Sequence, residues 1–94
     1  MLITTIDPQP KLNSVKPAMI TLSDLKAGES ARVISLNGGR GFVSRMAALG
    51  FTPGAEVTVI QNSGWGPIIA SVRDTRVALG RHEGQRTIVR TGTA

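Results

Sequence analysis

The chain has 94 residues, with 11 Lys and Arg against 6 Asp and Glu, for a formal charge of +5. It contains no cysteine and a single histidine, which excludes disulfides, thiolate metal sites and cysteine nucleophiles. The length predicts one small domain with a modest core. No run approaches the ~20 apolar residues of a membrane span, and the N-terminus lacks the basic and apolar regions of a signal peptide.

Pro8, Pro10 and Pro17 interrupt the first residues, and no period of 2 or 3.6 persists there. Residues 1–18 therefore read as a flexible tail, and the compact domain is expected over residues 19–91, with a short tail at 92–94. Thr21 or Ser23 can cap a single helical turn, and Lys26 to Glu29 reads as a turn. Ala31 to Leu36 is the first strand candidate. After the glycine-rich loop Asn37 to Gly41, Phe42, Met46 and Leu49 fall at i, i+4 and i+7, the spacing of one apolar helical stripe. The spacing predicts a helix over about residues 42–49, with Phe42 and Leu49 in the core.

Leu49-Gly50-Phe51-Thr52-Pro53-Gly54 is a helix stop followed by a turn. Gly50 suits the left-handed position just past a helix, Pro53 forbids the helix from continuing, and Pro53-Gly54 fits the centre of a type II turn. Four more strands follow: Glu56 to Ile60, Pro67 to Val72, Thr75 to Leu79 and Thr87 to Arg90. Arg73-Asp74 is a hairpin link, and Gly80 to Gln85 can make one helical turn. The last strand can turn either Thr87 and Val89 or Ile88 inward. The fold class is all-β with minor α. Five short strands and one small helix between the first two suit a small closed barrel, which also removes exposed edges. The expected core is Val33, Met46, Leu49, Val57, Val59, Ile68, Ala70, Val77 and Leu79. Truncating Leu49 to Ala is expected to cost about 2–5 kcal/mol.

Catalysis finds little support. A Ser-His-acid set would need His82 at its centre, and no serine sits in a strained elbow. His82-Glu83 is the one His-carboxylate pair, and adjacent residues do not share a helix face. No catalytic, cofactor-binding or metal residue is assigned, and no small-molecule substrate. Gly38-Gly39-Arg40-Gly41 precedes a helix but lacks the Lys-Ser/Thr of a phosphate loop. The eight arginines are dispersed. Their excess favours acidic partners, and nucleic acid is the rival on charge. Against it, the only aromatics are Phe42, Phe51 and Trp65, a thin stacking platform.

Taken together, four segments resemble the FeoA family, small cytoplasmic partners of bacterial ferrous-iron transporters. Thr21-Leu22-Ser23-Asp24-Leu25-Lys26-Ala27-Gly28 is similar to the family's Leu-x-x-Leu opening and glycine turn. Arg45 to Gly54 is similar to its Arg-Leu-x-x-Leu-Gly-hydrophobic-x-Pro-Gly signature. Gly66-Pro67-Ile68 and Val77-Ala78-Leu79-Gly80-Arg81 resemble later family segments. The match spans roughly residues 19–91. Gly84 stands where the family often has alanine, and Thr87 where it usually has an aliphatic residue. Both departures suggest a looser C-terminus.

The resemblance implies an SH3-like β-barrel without catalytic activity. It also implies an accessory role in ferrous-iron uptake, acting on the cytoplasmic GTP-binding domain of the membrane transporter and touching the membrane only through it. The same module occurs at the end of iron-dependent repressors, and a weak homo-oligomer is compatible with the sequence. The expected partner-contacting residues are Trp65, Arg45, Phe51 and Arg32, although Phe51 can instead pack under the turn. Trp65, flanked by Gly64 and Gly66, either stands out as an anchor or folds over the barrel mouth.

Overall fold

The computed structural model describes residues 18–92. The expected tails at 1–18 and 92–94 lie outside them, except that Ala18 opens a strand and Gly92 follows one. Six strands form one sheet: β1 (Ala18–Thr21), β2 (Ser30–Leu36), β3 (Glu56–Gln61), β4 (Ile68–Val72), β5 (Thr75–Leu79) and β6 (Thr87–Thr91). Their spatial order is β1-β6-β2-β3-β4-β5, and every neighbouring pair is antiparallel. A 3₁₀ turn (Leu22–Asp24) follows β1, the helix α1 (Arg40–Ala48) separates β2 from β3, and the short helix α2 (Arg81–Gln85) precedes β6.

The all-β class holds, with one strand more than the five expected; the closed barrel without edges is corrected, because β1 and β5 each pair on one side only. The added strand is β1. It pairs with β6 in the register Ala18↔Thr91 to Thr21↔Ile88. Its four residues, directly after Pro17, are too few to show a period, and their partner lies at the other end of the chain. The pairings of β2 with β6 and of β3 with β4 each shift register, between Val33 and Ser35 and between Val59 and Gln61. Bulges of this kind bend a sheet and sharpen its twist, which lets short strands wrap around a small core.

That core collects Val33 from β2, Val57 and Val59 from β3, Ile68, Ala70 and Val72 from β4, Leu79 from β5 and Val89 from β6. Leu22 and Leu25 seal one end, and Met46, Phe51 and Ala55 join from the α1–β3 segment. Val77 is half-buried against it. The last strand turns Thr87 and Val89 inward and leaves Ile88 partly exposed. Thr87 is fully buried, and its hydroxyl donates to the Glu83 carbonyl at 2.9 Å, so the buried oxygen is satisfied. Gly84 is buried too, and a Cβ there would come within 2.8 Å of Ile68 Cδ1. The expectation of a loose C-terminus is therefore reversed. Glycine is what allows α2 to lie close on β4, and Thr87 ties α2 to β6.

The helix stop behaves as read, with one correction. Gly50 takes φ +103°, and the Phe51 and Gly50 amides donate to the Met46 and Ala47 carbonyls at 2.9 and 3.0 Å. This double bond pattern is the Schellman motif. The motif turns the residue after the glycine back onto the last helical turn, so Phe51 packs with Met46 in the core at 0 % exposure. Leu49 is left outside, 37 % exposed. Leu49 is thus not a core residue, and Phe51 is not a surface contact. The type II turn is present: Gly54 has φ +93° and the Ala55 amide donates to the Thr52 carbonyl at 2.9 Å. Among the described residues no helix is long and apolar enough to cross a membrane.

Candidate interaction surface

The Asn62 side chain organises the loop between β3 and β4. Its Nδ2 donates to the carbonyls of Ser23 and Leu25, at 3.0 and 2.7 Å, which fastens the loop to the 3₁₀ turn. Its Oδ1 accepts from the Gly64 amide at 3.2 Å and from both terminal nitrogens of Arg81, at 3.0 and 2.6 Å. Arg81 also donates to the Gly66 carbonyl at 3.3 Å, and Ser63 Oγ to the Trp65 carbonyl at 2.9 Å. Gly64 and Gly66 both have positive φ, +95° and +76°, so the chain folds tightly on either side of Trp65 where a Cβ would be strained. The loop is thus held from β3, from the 3₁₀ turn and from α2. On it, Trp65 is 78 % exposed. Of the two placements open to it, the tryptophan takes the outward one.

On its other side, α2 holds α1. Glu83 pairs with Arg45, whose side chain is 58 % exposed. The same carboxylate accepts from the Gly80 amide at 2.9 Å, satisfying a donor that the start of a helix leaves open. Between the two helices lies a cleft of about 380 Å³, lined by Gly41, Phe42, Arg45, His82, Glu83 and Arg86. Phe42 was expected in the core. It is only half-buried, and the Arg86 guanidinium sits 5.9 Å from its ring centre, within cation–π range. The cleft therefore offers one aromatic face with arginines beside it, a combination suited to protein contacts.

Of the four expected contact residues, the structure joins two through α2: Trp65, by way of Arg81, and Arg45, by way of Glu83. Phe51 drops out because it is buried. Arg32 is exposed on β2, where its Nη1 donates to the Gly54 carbonyl at 2.7 Å. It faces Arg90 and Glu56 across the sheet, away from the α2 network. Sequence reading missed Asn62, Arg81, Phe42 and Arg86 as parts of this surface. The one local signal was Glu83, three residues after Gly80, the spacing of a carboxylate that reaches back to the helix start. Among the described residues no group of three or more His, Cys, Asp or Glu side chains could hold a metal ion.

Comparison with known proteins adds the family. The FeoA domain model matches residues 20–91. The fold is similar to the crystal structure of an iron uptake regulatory protein (FeoA), at 33 % identity and a TM-score of 0.75, over 78 % of this chain and 97 % of that one. It is similar to FeoA of Stenotrophomonas maltophilia, a prokaryotic SH3 domain protein solved with zinc (31 % identity, TM-score 0.67, 80 % and 99 % covered). It is also similar to FeoA of Chlorobium tepidum (27 % identity, TM-score 0.71, 77 % and 70 % covered). The search of curated proteins gave no match.

Proposed function

The chain belongs to the FeoA family, and from that premise we propose that it is a non-enzymatic accessory module of a bacterial ferrous-iron uptake system. It works in the cytoplasm and binds the cytoplasmic GTP-binding part of the membrane iron transporter. Residues 19–91 are the working module. The Stenotrophomonas relative is described as a candidate bacterial ferrous iron transport activating factor, which supports the same role here.

The observation that carries this reading is the display of Trp65. A largely exposed indole presents apolar area to water at a cost. Here five side-chain hydrogen bonds from Asn62 and Arg81 fix the loop that exposes it. A rigid aromatic loses little entropy on binding, which makes it an efficient anchor. The Phe42 cleft, on the other side of α2 with Arg45 and Arg86 at its edge, adds a basic rim for an acidic partner surface.

Isothermal titration against the purified GTP-binding part of the transporter tests it. Trp65→Ala should weaken binding by at least about tenfold, and Arg45→Ala by less, with circular dichroism unchanged for both. If both variants bind as the wild type does, the contact lies elsewhere, and the β2 face around Arg32 is the next to examine.

A further inference from the structure

The sheet ends at β5. Among the described residues β5 pairs only with β4, and no other backbone group bonds to it. Its register against β4 runs without a shift from Val72↔Thr75 to Ile68↔Leu79. The Arg73-Asp74 link is a two-residue hairpin turn with positive φ at both positions, 50° and 63°, so Val72 and Thr75 form its hydrogen-bonded closing pair. Bonded and non-bonded pairs alternate along an antiparallel ladder. Thr75, Val77 and Leu79 therefore spend their backbone groups on β4, while the N–H and C=O groups of Arg76 and Ala78 point off the sheet. Natural sheets guard such an edge with a very short strand, a charged side chain, a proline or a bulge, and β5 carries one of these charges, Arg76. β5 has no proline and no bulge, although β2/β6 and β3/β4 both carry irregularities.

We propose that β5 is a docking edge on which an extended acidic segment of the transporter's cytoplasmic part adds as a further strand. Charge selects that occupant. The single charged residue of the strand is Arg76, exposed on the outer face beside exposed Ala78. A second copy of this chain would bring another +5 and another Arg76 to the contact, whereas an acidic strand sets a carboxylate opposite the guanidinium. Strand addition supplies affinity through the main chain and specificity through alternate side chains. The edge is also continuous with the α2 surface, because Leu79 leads through Gly80 directly into Arg81, the residue that holds the Trp65 loop. One partner can therefore run along β5 and reach the Trp65 face. This inference rests on the transporter being the partner.

The test uses the full chain, the transporter's purified GTP-binding part, and two variants. Ala78→Pro removes an outward-pointing donor, a change that edge strands accept. Arg76→Glu reverses the guiding charge. Each should weaken binding about tenfold or more, and the Arg76 and Ala78 amides of the wild type should become protected from hydrogen exchange in the complex. If Ala78→Pro loses the native amide spectrum, Arg76→Glu and the exchange measurement decide. Wild-type affinity for Arg76→Glu, with both amides exchanging as fast in the complex as in the free chain, overturns strand addition. If Trp65→Ala still weakens binding in that case, the transporter reading survives on its own. A wild type that does not bind the transporter part overturns both.

Discussion

The two helices of this domain are fixed in opposite ways. α1 has nine residues and an apolar stripe, yet Met46 is its one buried side chain, and Val43 and Leu49 are each 37 % exposed. α2 has five residues and no large apolar side chain, yet it touches nearly everything around it. Gly84 lies against Ile68 and Ser23, Glu83 binds Arg45 and the Gly80 amide, Arg81 binds Asn62 and Gly66, and the Glu83 carbonyl accepts from Thr87. An isolated helix of either length is marginal in water. What fixes a short helix is therefore its set of specific partners, and hydrophobic periodicity alone misjudges it. In the proposed reading the well-anchored helix is the frame, and the more exposed one offers surface.

The contrast can be broken at named residues. The largest effect is expected at Met46, the one fully buried side chain of α1: Met46→Ala should cost about 2–5 kcal/mol in chemical denaturation, because it opens a cavity between β-strands and the Phe51 turn. Next is α2, where Gly84→Val places side-chain atoms in space that Ile68 already fills. Overpacking should cost about 1–3 kcal/mol, whereas Ala47→Val on the exposed side of α1 should change stability by less than about 0.5 kcal/mol. Glu83→Gln weakens the helix-start bond and removes a part-exposed ion pair, for a loss of about 1 kcal/mol. Combined with Arg45→Ala it should be less than additive in a double-mutant cycle. Leu49→Ala is expected below about 1 kcal/mol, because more than a third of the residue is already exposed. A loss of several kcal/mol there would mean that α1 packs by its stripe after all.

Much of this fold was legible from the chain. Gly50 and Pro53-Gly54 announced the helix stop and turn, and the β-branched runs located five of six strands to within a residue or two. Leu49 was misplaced because i, i+4, i+7 spacing treats the helix as infinite, and Phe51 was left open between packing under the turn and contacting a partner. At a Schellman end the residue past the glycine returns to the core, and that rule, applied to Gly50, would have chosen Phe51. β1 was hidden because its pairing is wholly non-local, with Ala18 opposite Thr91. Trp65 was visible as an aromatic between two glycines. What fixes it outward was not, because Asn62 bonds Leu25 and Arg81 from positions 37 and 19 residues away in sequence.

In the proposed reading, α2 holds the Trp65 loop on one side and the Phe42 cleft on the other, and the partner contacts both. The chain has a single tryptophan, so one indole N–H resonance reports on it without ambiguity. Titrated with the transporter's GTP-binding part, that resonance should shift or broaden together with the backbone amides of Arg45 and Arg86. An unchanged indole signal in a complex that demonstrably forms, with shifts confined to Arg32, Glu56 and Arg90, would put the contact on the β2 face and not on the α2 network.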